Sequence, residues 1–221
     1  PEEIPGLAET WNETAYGFYR NEDSIELAKS LKDFKGGRLV VNIAEMPIKC
    51  PVAPLEFAFL ADWHFHERGI RDQVQIDFVT PLAGAFTKPV ATKILNSACQ
   101  EKNINIVPNF ALESVDAQKK TIASYDGTEV EYDMLVSIPP NFGSKVNIDS
   151  GISDPMGYIP VDKATLQPEG YDNVWALGDG TNVPTSKAGA VAHFQGDVIH
   201  ENIMAYINGG EQHARSDGHA V

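Results

Sequence analysis

The chain has 221 residues, a hydrophobic content of 43% and a formal net charge of −14. That length holds one large domain or two modest ones, with the apolar content of an ordinary globular core. The acidity excludes a binder of phosphate backbones, which needs basic patches, although a local membrane-facing surface remains compatible with it. No run of about 18 apolar residues occurs, so no transmembrane helix is encoded. Residues 1–6 lack the basic and apolar regions of a signal peptide. Two cysteines, Cys50 and Cys99, are too few for a disulfide framework.

Residues 1–36 are predicted as a connector carrying a short helix from Ser24, a candidate N-cap, to Leu31. Residues 37–115 are predicted to form a Rossmann-like βαβαβ unit. Its strands are Leu39-Val40-Val41-Asn42-Ile43, Val74-Gln75-Ile76-Asp77-Phe78-Val79 and Ile104-Asn105-Ile106-Val107, with helices over about 52–68 and 89–102. Short antiparallel strands are expected at 111–115, 121–125 and 129–136, with Asp126-Gly127 as a hairpin turn. A last segment reads as the strand Asn173-Val174-Trp175-Ala176-Leu177, a glycine turn, and a helix over about 188–207 that stops at Gly209-Gly210. The fold class is therefore α/β, a parallel unit plus antiparallel strands.

In Gly178-Asp179-Gly180 an acid stands between two glycines at a strand end. The glycines let backbone approach a ligand closely, and the carboxylate can accept hydrogen bonds from ribitol hydroxyls. The helix that begins near Ser186-Lys187-Ala188-Gly189 presents free N–H groups and a positive dipole end, suited to the pyrimidine edge of a flavin. A plain strand–turn–helix with an exposed Asp is the bland alternative.

A pyridine-nucleotide domain should run from its first strand into Gly-x-Gly-x-x-Gly, so that pyrophosphate sits on a helix N-terminus. Here the strand runs into Ala44-Glu45-Met46-Pro47-Ile48-Lys49-Cys50-Pro51-Val52-Ala53-Pro54, which has no glycine and loses N–H donors at its prolines. This loop argues against NAD. It places Cys50 at a helix start beside Lys49, a setting that favours thiolate; a small buried turn residue is the alternative. Cys99, between Ala98 and Gln100, reads as structural. His64 and His66, two apart, face different sides of a helix, so no metal pair is expected.

Gly178-Asp179-Gly180 followed by Pro184-Thr185-Ser186-Lys187-Ala188-Gly189 resembles the second FAD motif of two-dinucleotide-domain flavoproteins. It is most similar to the sulfide:quinone oxidoreductase branch. Cys50-Pro51-Val52-Ala53-Pro54 resembles the redox-cysteine motif of that family, and the likeness runs in order along nearly the whole chain. The resemblance implies that residues 116–221 are the second part of an FAD-binding domain. It implies that Asp179 holds the ribitol and that Lys187, Ala188 and Gly189 lie at the isoalloxazine. Pro139 and Pro140 would line the flavin and quinone region. Glu56, six residues after Cys50, would act as a general base on hydrogen sulfide; a solvated acid on a helix face is the alternative. The implied cofactor is FAD, with sulfide as substrate, a quinone as acceptor and peripheral membrane contact in the full-length protein; homo-oligomerisation stays open. The Gly-x-Gly-x-x-Gly half that cradles the ADP of FAD is absent. The family's second redox cysteine would fall beyond Asp217-Gly218-His219-Ala220, past Val221. The chain is thus expected to be the C-terminal two-thirds of its parent and inactive by itself. The loop 81–86 contains no His, where many family members carry one. Other readings are the flavin subunit of flavocytochrome c sulfide dehydrogenase, which has a related Cys-Pro loop, and a type II NADH:quinone oxidoreductase, which would need a glycine loop after Val41 and no Cys50. A folded remnant without FAD is the non-enzymatic reading.

Overall fold

A computed structural model describes residues 1–219. In it the chain divides into two compact units, Pro1–Met46 with Val52–Pro140, and Pro47–Pro51 with the segment from Asn141 onward. The first unit runs α1 (Leu7–Thr10), β1 (Ala15–Tyr16), α2 (Asn21–Asp33), β2 (Gly37–Ile43), α3 (Ala53–Glu67), β3 (Val74–Val79), α4 (Pro89–Glu101), β4 (Ile104–Val107), β5 (Leu112–Asp116), β6 (Thr121–Ser124), β7 (Glu129–Glu131) and β8 (Met134–Ile138). The second carries α5 (Lys145–Asp149), a single 3-10 turn at Gly178–Gly180, and α6 (Gly189–Ile207).

Five strands form an all-parallel sheet in the order β1-β8-β2-β3-β4. A separate antiparallel sheet follows the order β5-β6-β7. The fold is α/β, as the sequence pattern implies. From Leu39 to Ile43, β2 is buried at every position, apolar except for Asn42, because both of its faces are covered. Helix α3 packs against β2 and β3. On another face Val40, Val79 and Leu135 meet Leu112, Val115, Ile122 and Val130 of the antiparallel strands. Proline opens α4, where the missing N–H costs nothing, and Gly69, at φ +67°, follows α3.

Asp62 of α3 is 1% exposed and receives hydrogen bonds from Arg71 Nε at 2.6 Å and Lys102 Nζ at 2.9 Å. Arg71 also donates to the carbonyls of Val74, Lys102 and Asn103. Burial alone would raise the Asp62 carboxyl, but the two cationic donors outweigh it and hold it below the usual carboxylate range. This knot ties α3 to the starts of β3 and β4.

Several expectations need correction. Residues 1–36, expected as a connector, contribute the sheet-edge strand β1, paired to β8. Ser24 is not the N-cap: α2 starts at Asn21 after Arg20, and the Ser24 hydroxyl donates to the carbonyls of Phe18 and Arg20. The run 129–136 is two strands, one in each sheet. The break falls at Tyr132-Asp133, where Asp133 N–H donates to the Arg38 carbonyl at 2.9 Å and Arg38 N–H donates to Asp133 Oδ2 at 2.7 Å. Those bonds pull the chain out of the hairpin and insert β8 between β1 and β2. The run 173–177 is extended but forms no strand. Among the described residues its backbone makes one backbone hydrogen bond, from Ala176 N–H to the Leu166 carbonyl at 3.0 Å. A ladder requires a partner, and the second unit offers only the isolated bridges Lys49–Lys187 and Ile159–Thr181 among its described residues. Ala220 and Val221, the last residues of the stretch that would precede a second redox cysteine, lie outside the described residues. Among the described residues no helix is long and apolar enough to cross a membrane.

Candidate active site

The second unit gathers Cys50, Gly178, Asp179, Gly180, Lys187, Ala188 and Gly189; Glu56, Pro139 and Pro140 belong to the first unit. Gly178 adopts φ +60°, a left-handed conformation that side chains disfavour, and its N–H donates to Gln195 Oε1 at 2.7 Å. Gln195 is buried at 2% exposure, so this bond locks the turn onto α6. Nothing lies within 4 Å of the positions where side chains would begin at Gly180, Gly189 and Gly196. The helix α6 opens at Ala188 without a side-chain cap, leaving its first-turn N–H groups for another acceptor. Asp179 is partly buried, and its carboxylate accepts no hydrogen bond from the described residues.

Lys187 is only 6% exposed. Its Nζ donates to the Thr181 carbonyl at 2.9 Å and lies 3.9 Å from the centre of the Tyr158 ring. Burial lowers its pKa; Asp179 and Asp154 act against that, while Lys49 reinforces it.

Cys50 is exposed and sits at φ +47°, a left-handed conformation uncommon for any residue with a side chain. Its N–H donates to the Lys187 carbonyl at 2.6 Å, and Lys49 and Lys187 form an isolated parallel bridge. The thiol-bearing residue is therefore joined through backbone to the segment that leads from the glycine turn into α6. In the first unit, Glu56 is exposed in the first turn of α3, and Pro139 and Pro140 are partly buried just after β8. Cys99 is fully buried in α4, and burial pushes its thiol up to about 11.

Three residues of this site carry no local sequence signal that singled them out. Gln195 is a polar side chain within the largely apolar start of α6, the one cue available. The Tyr158 ring meets Lys187 and its hydroxyl donates to the Asn141 carbonyl, while Asn141 Oδ1 accepts the Lys49 N–H, contacts between residues 17 to 92 positions apart.

The open positions at three glycines, the unmatched Asp179 carboxylate and the uncapped helix fit the ribitol and ring end of a flavin. No nucleotide glycine loop for the ADP end occurs in this sequence.

No protein-family profile matches the chain. The mitochondrial sulfide:quinone oxidoreductase of Dictyostelium discoideum is 32% identical over 210 residues, covering 92% of this chain and 46% of that protein. The mitochondrial sulfide:quinone oxidoreductase of Mus musculus is 28% identical over 225 residues, covering 99% of this chain and 50% of that protein. Among solved structures, the sulfide:quinone oxidoreductase of Aquifex aeolicus superposes with a TM-score of 0.78 at 20% identity, over 93% of this chain and 52% of that one. The chain spans about half the length of these relatives, less than the two-thirds expected. By sequence, this chain is a homologue of the sulfide:quinone oxidoreductases that corresponds to about half of their length.

Proposed function

We propose that this chain is the flavin-side, thiol-bearing part of a flavoprotein that oxidises sulfide through Cys50 and FAD and passes the electrons to a quinone. The observation that carries the reading is the 2.6 Å hydrogen bond from Cys50 N–H to the Lys187 carbonyl. It fixes an exposed cysteine to the stretch that leads into the candidate flavin helix.

In this reading FAD, when bound, would supply two-electron acceptor chemistry between the thiol and the quinone. Asp179 accepts hydrogen bonds from ribitol hydroxyls, and Gly180 and Gly189 leave room for close approach. The α6 N-terminus and the Lys187 ammonium stabilise negative charge at the pyrimidine edge. Sulfide would attack the exposed Cys50 in a disulfide with the family's second redox cysteine, breaking that S–S bond and leaving a Cys50 persulfide and a free thiolate. A second sulfide would remove the outer sulfur as polysulfide, and the two thiols would re-form the disulfide by giving up an electron pair to FAD. Glu56 takes the proton of hydrogen sulfide, and Pro139-Pro140 line the quinone side. The full-length protein contacts the membrane peripherally, where its quinone resides.

The test uses full-length protein. It should purify with a flavin absorption spectrum and reduce quinone in the presence of sulfide. Cys50→Ser should keep the flavin while turnover falls below about one per cent of the parent rate. A Cys50→Ser protein with parental turnover sinks the thiol assignment; a protein that neither carries nor takes up FAD sinks the flavin assignment.

A further inference from the structure

Asn141 is used on two sides. Its side-chain Oδ1 accepts the Lys49 N–H at 3.0 Å, and its carbonyl accepts the Tyr158 hydroxyl at 2.7 Å. Tyr158 is 4% exposed. Its own N–H donates to Asp154 Oδ1 at 3.0 Å, and its carbonyl accepts the Asp154 N–H at 2.8 Å. Backbone and hydroxyl are thus both anchored, which fixes the long axis of the ring, and burial restricts its rotation about that axis. The face of that ring lies 3.9 Å from Lys187 Nζ, well inside the range for a cation over an aromatic face. Lys187 closes the circuit by accepting the Cys50 N–H on its carbonyl. Lys49, Asn141, Tyr158, Lys187 and Cys50 form one ring of contacts although they span residues 49 to 187.

We propose that Asn141 and Tyr158 are positioning residues that clamp the Lys49–Cys50 peptide and the Lys187 ammonium into one register. The proposal rests on the functional reading above and assigns two residues to which that reading gives no role. The closed circuit accounts for a cysteine held at φ +47°, since such backbone persists only where its surroundings over-determine it. It also divides the labour within Tyr158. The hydroxyl acts on the cysteine loop through Asn141. The ring replaces water around a buried ammonium that has one carbonyl partner among the described residues, Thr181. Asp179, Asp154 and Lys49 are the charged groups that bear on that ammonium.

The clamp is tested on full-length protein by hydrogen–deuterium exchange of the peptide covering residues 47–51, whose amides include those of Lys49 and Cys50. Asn141→Ala and Tyr158→Phe should speed exchange there roughly fivefold to tenfold, the size expected for one lost hydrogen bond. Asn141→Asp keeps the acceptor and should stay within about twofold of the parent. A peptide from β6 in the first unit should not respond. Tyr158→Leu, which removes the ring, should also move the alkaline limb of sulfide-dependent turnover to lower pH, whereas Tyr158→Phe should leave that limb in place. Unchanged exchange in both Asn141→Ala and Tyr158→Phe overturns the clamp. An unmoved alkaline limb in Tyr158→Leu overturns the role of the ring. If exchange responds as expected but the parent protein shows no sulfide turnover, the functional reading falls while the clamp stands.

Discussion

Replacing Gly178 with Ala puts two separate demands on the glycine turn. The residue sits at φ +60°, where a side chain costs about 1–2 kcal/mol. The added Cβ would also lie 2.9 Å from Ala192 Cβ, closer than real methyl carbons approach. Neither side yields easily, because Ala192 belongs to α6 and Gly178 is held to the same helix through Gln195. Overpacking of this kind costs about 1–3 kcal/mol, so Gly178→Ala should destabilise the second unit by roughly 2–5 kcal/mol. Urea denaturation followed by tryptophan fluorescence reads this, since Trp175 lies three residues before the turn. In an Ala192→Gly background the clash disappears, and the same substitution should cost only the backbone part, about 1–2 kcal/mol. Gly180→Ala is the contrasting change. Nothing lies within 4 Å of its Cβ position, so stability should stay within about 0.5 kcal/mol of the parent. Its open space is assigned to flavin, so FAD titration should show weakened binding in Gly180→Ala despite unchanged stability. Parental FAD affinity in Gly180→Ala would refute that assignment, and a Gly178→Ala chain as stable as the parent would refute the packing argument.

Asp62→Ala leaves Arg71, whose side chain is 10% exposed, with carbonyl partners but no countercharge, and should cost about 3 kcal/mol in urea denaturation at neutral pH. Because the folded Asp62 carboxyl titrates below its ordinary value, the stability it contributes is complete above about pH 3.9 and is lost as pH falls through the lowered folded value. The stability gap between Asp62→Asn and the parent should therefore close in acid; a gap independent of pH would rule out the charge-based account. At pH 8 iodoacetamide should add once to the folded chain, at exposed Cys50, and twice in urea, because Cys99 is buried with its thiol pushed up to about 11. Two adducts on folded protein, read by intact mass, would contradict the burial of Cys99.

Features decided within a few residues were legible in the sequence. Asp126-Gly127 makes its hairpin because Gly127 takes φ +85° and Asp126 Oδ1 accepts the Thr128 N–H. The apolar runs of β2 and β3 and the prolines in the first turns of α3 and α4 were equally local. Features decided at long range were not. β8 is separated from its β7 neighbour by a bond pair between Asp133 and Arg38, 95 residues apart. A two-residue strand such as β1 shows no periodicity at all. The run 173–177 has the composition of a strand, but composition does not supply a partner. The candidate site follows the same division. Its glycine turn and cysteine loop stand out as motifs, whereas Asn141, Tyr158 and Gln195 matter through partners that only the folded chain brings close.

The run 173–177 combines Val174, Trp175 and Leu177 with no charge and no proline, and most of its backbone donors and acceptors are unmatched by the described residues. An extended segment with unmatched backbone groups invites pairing by any strand-like segment that can reach it, correct or not. An extended apolar stretch of this kind is a place where mispairing and aggregation start whenever its backbone stays unmatched.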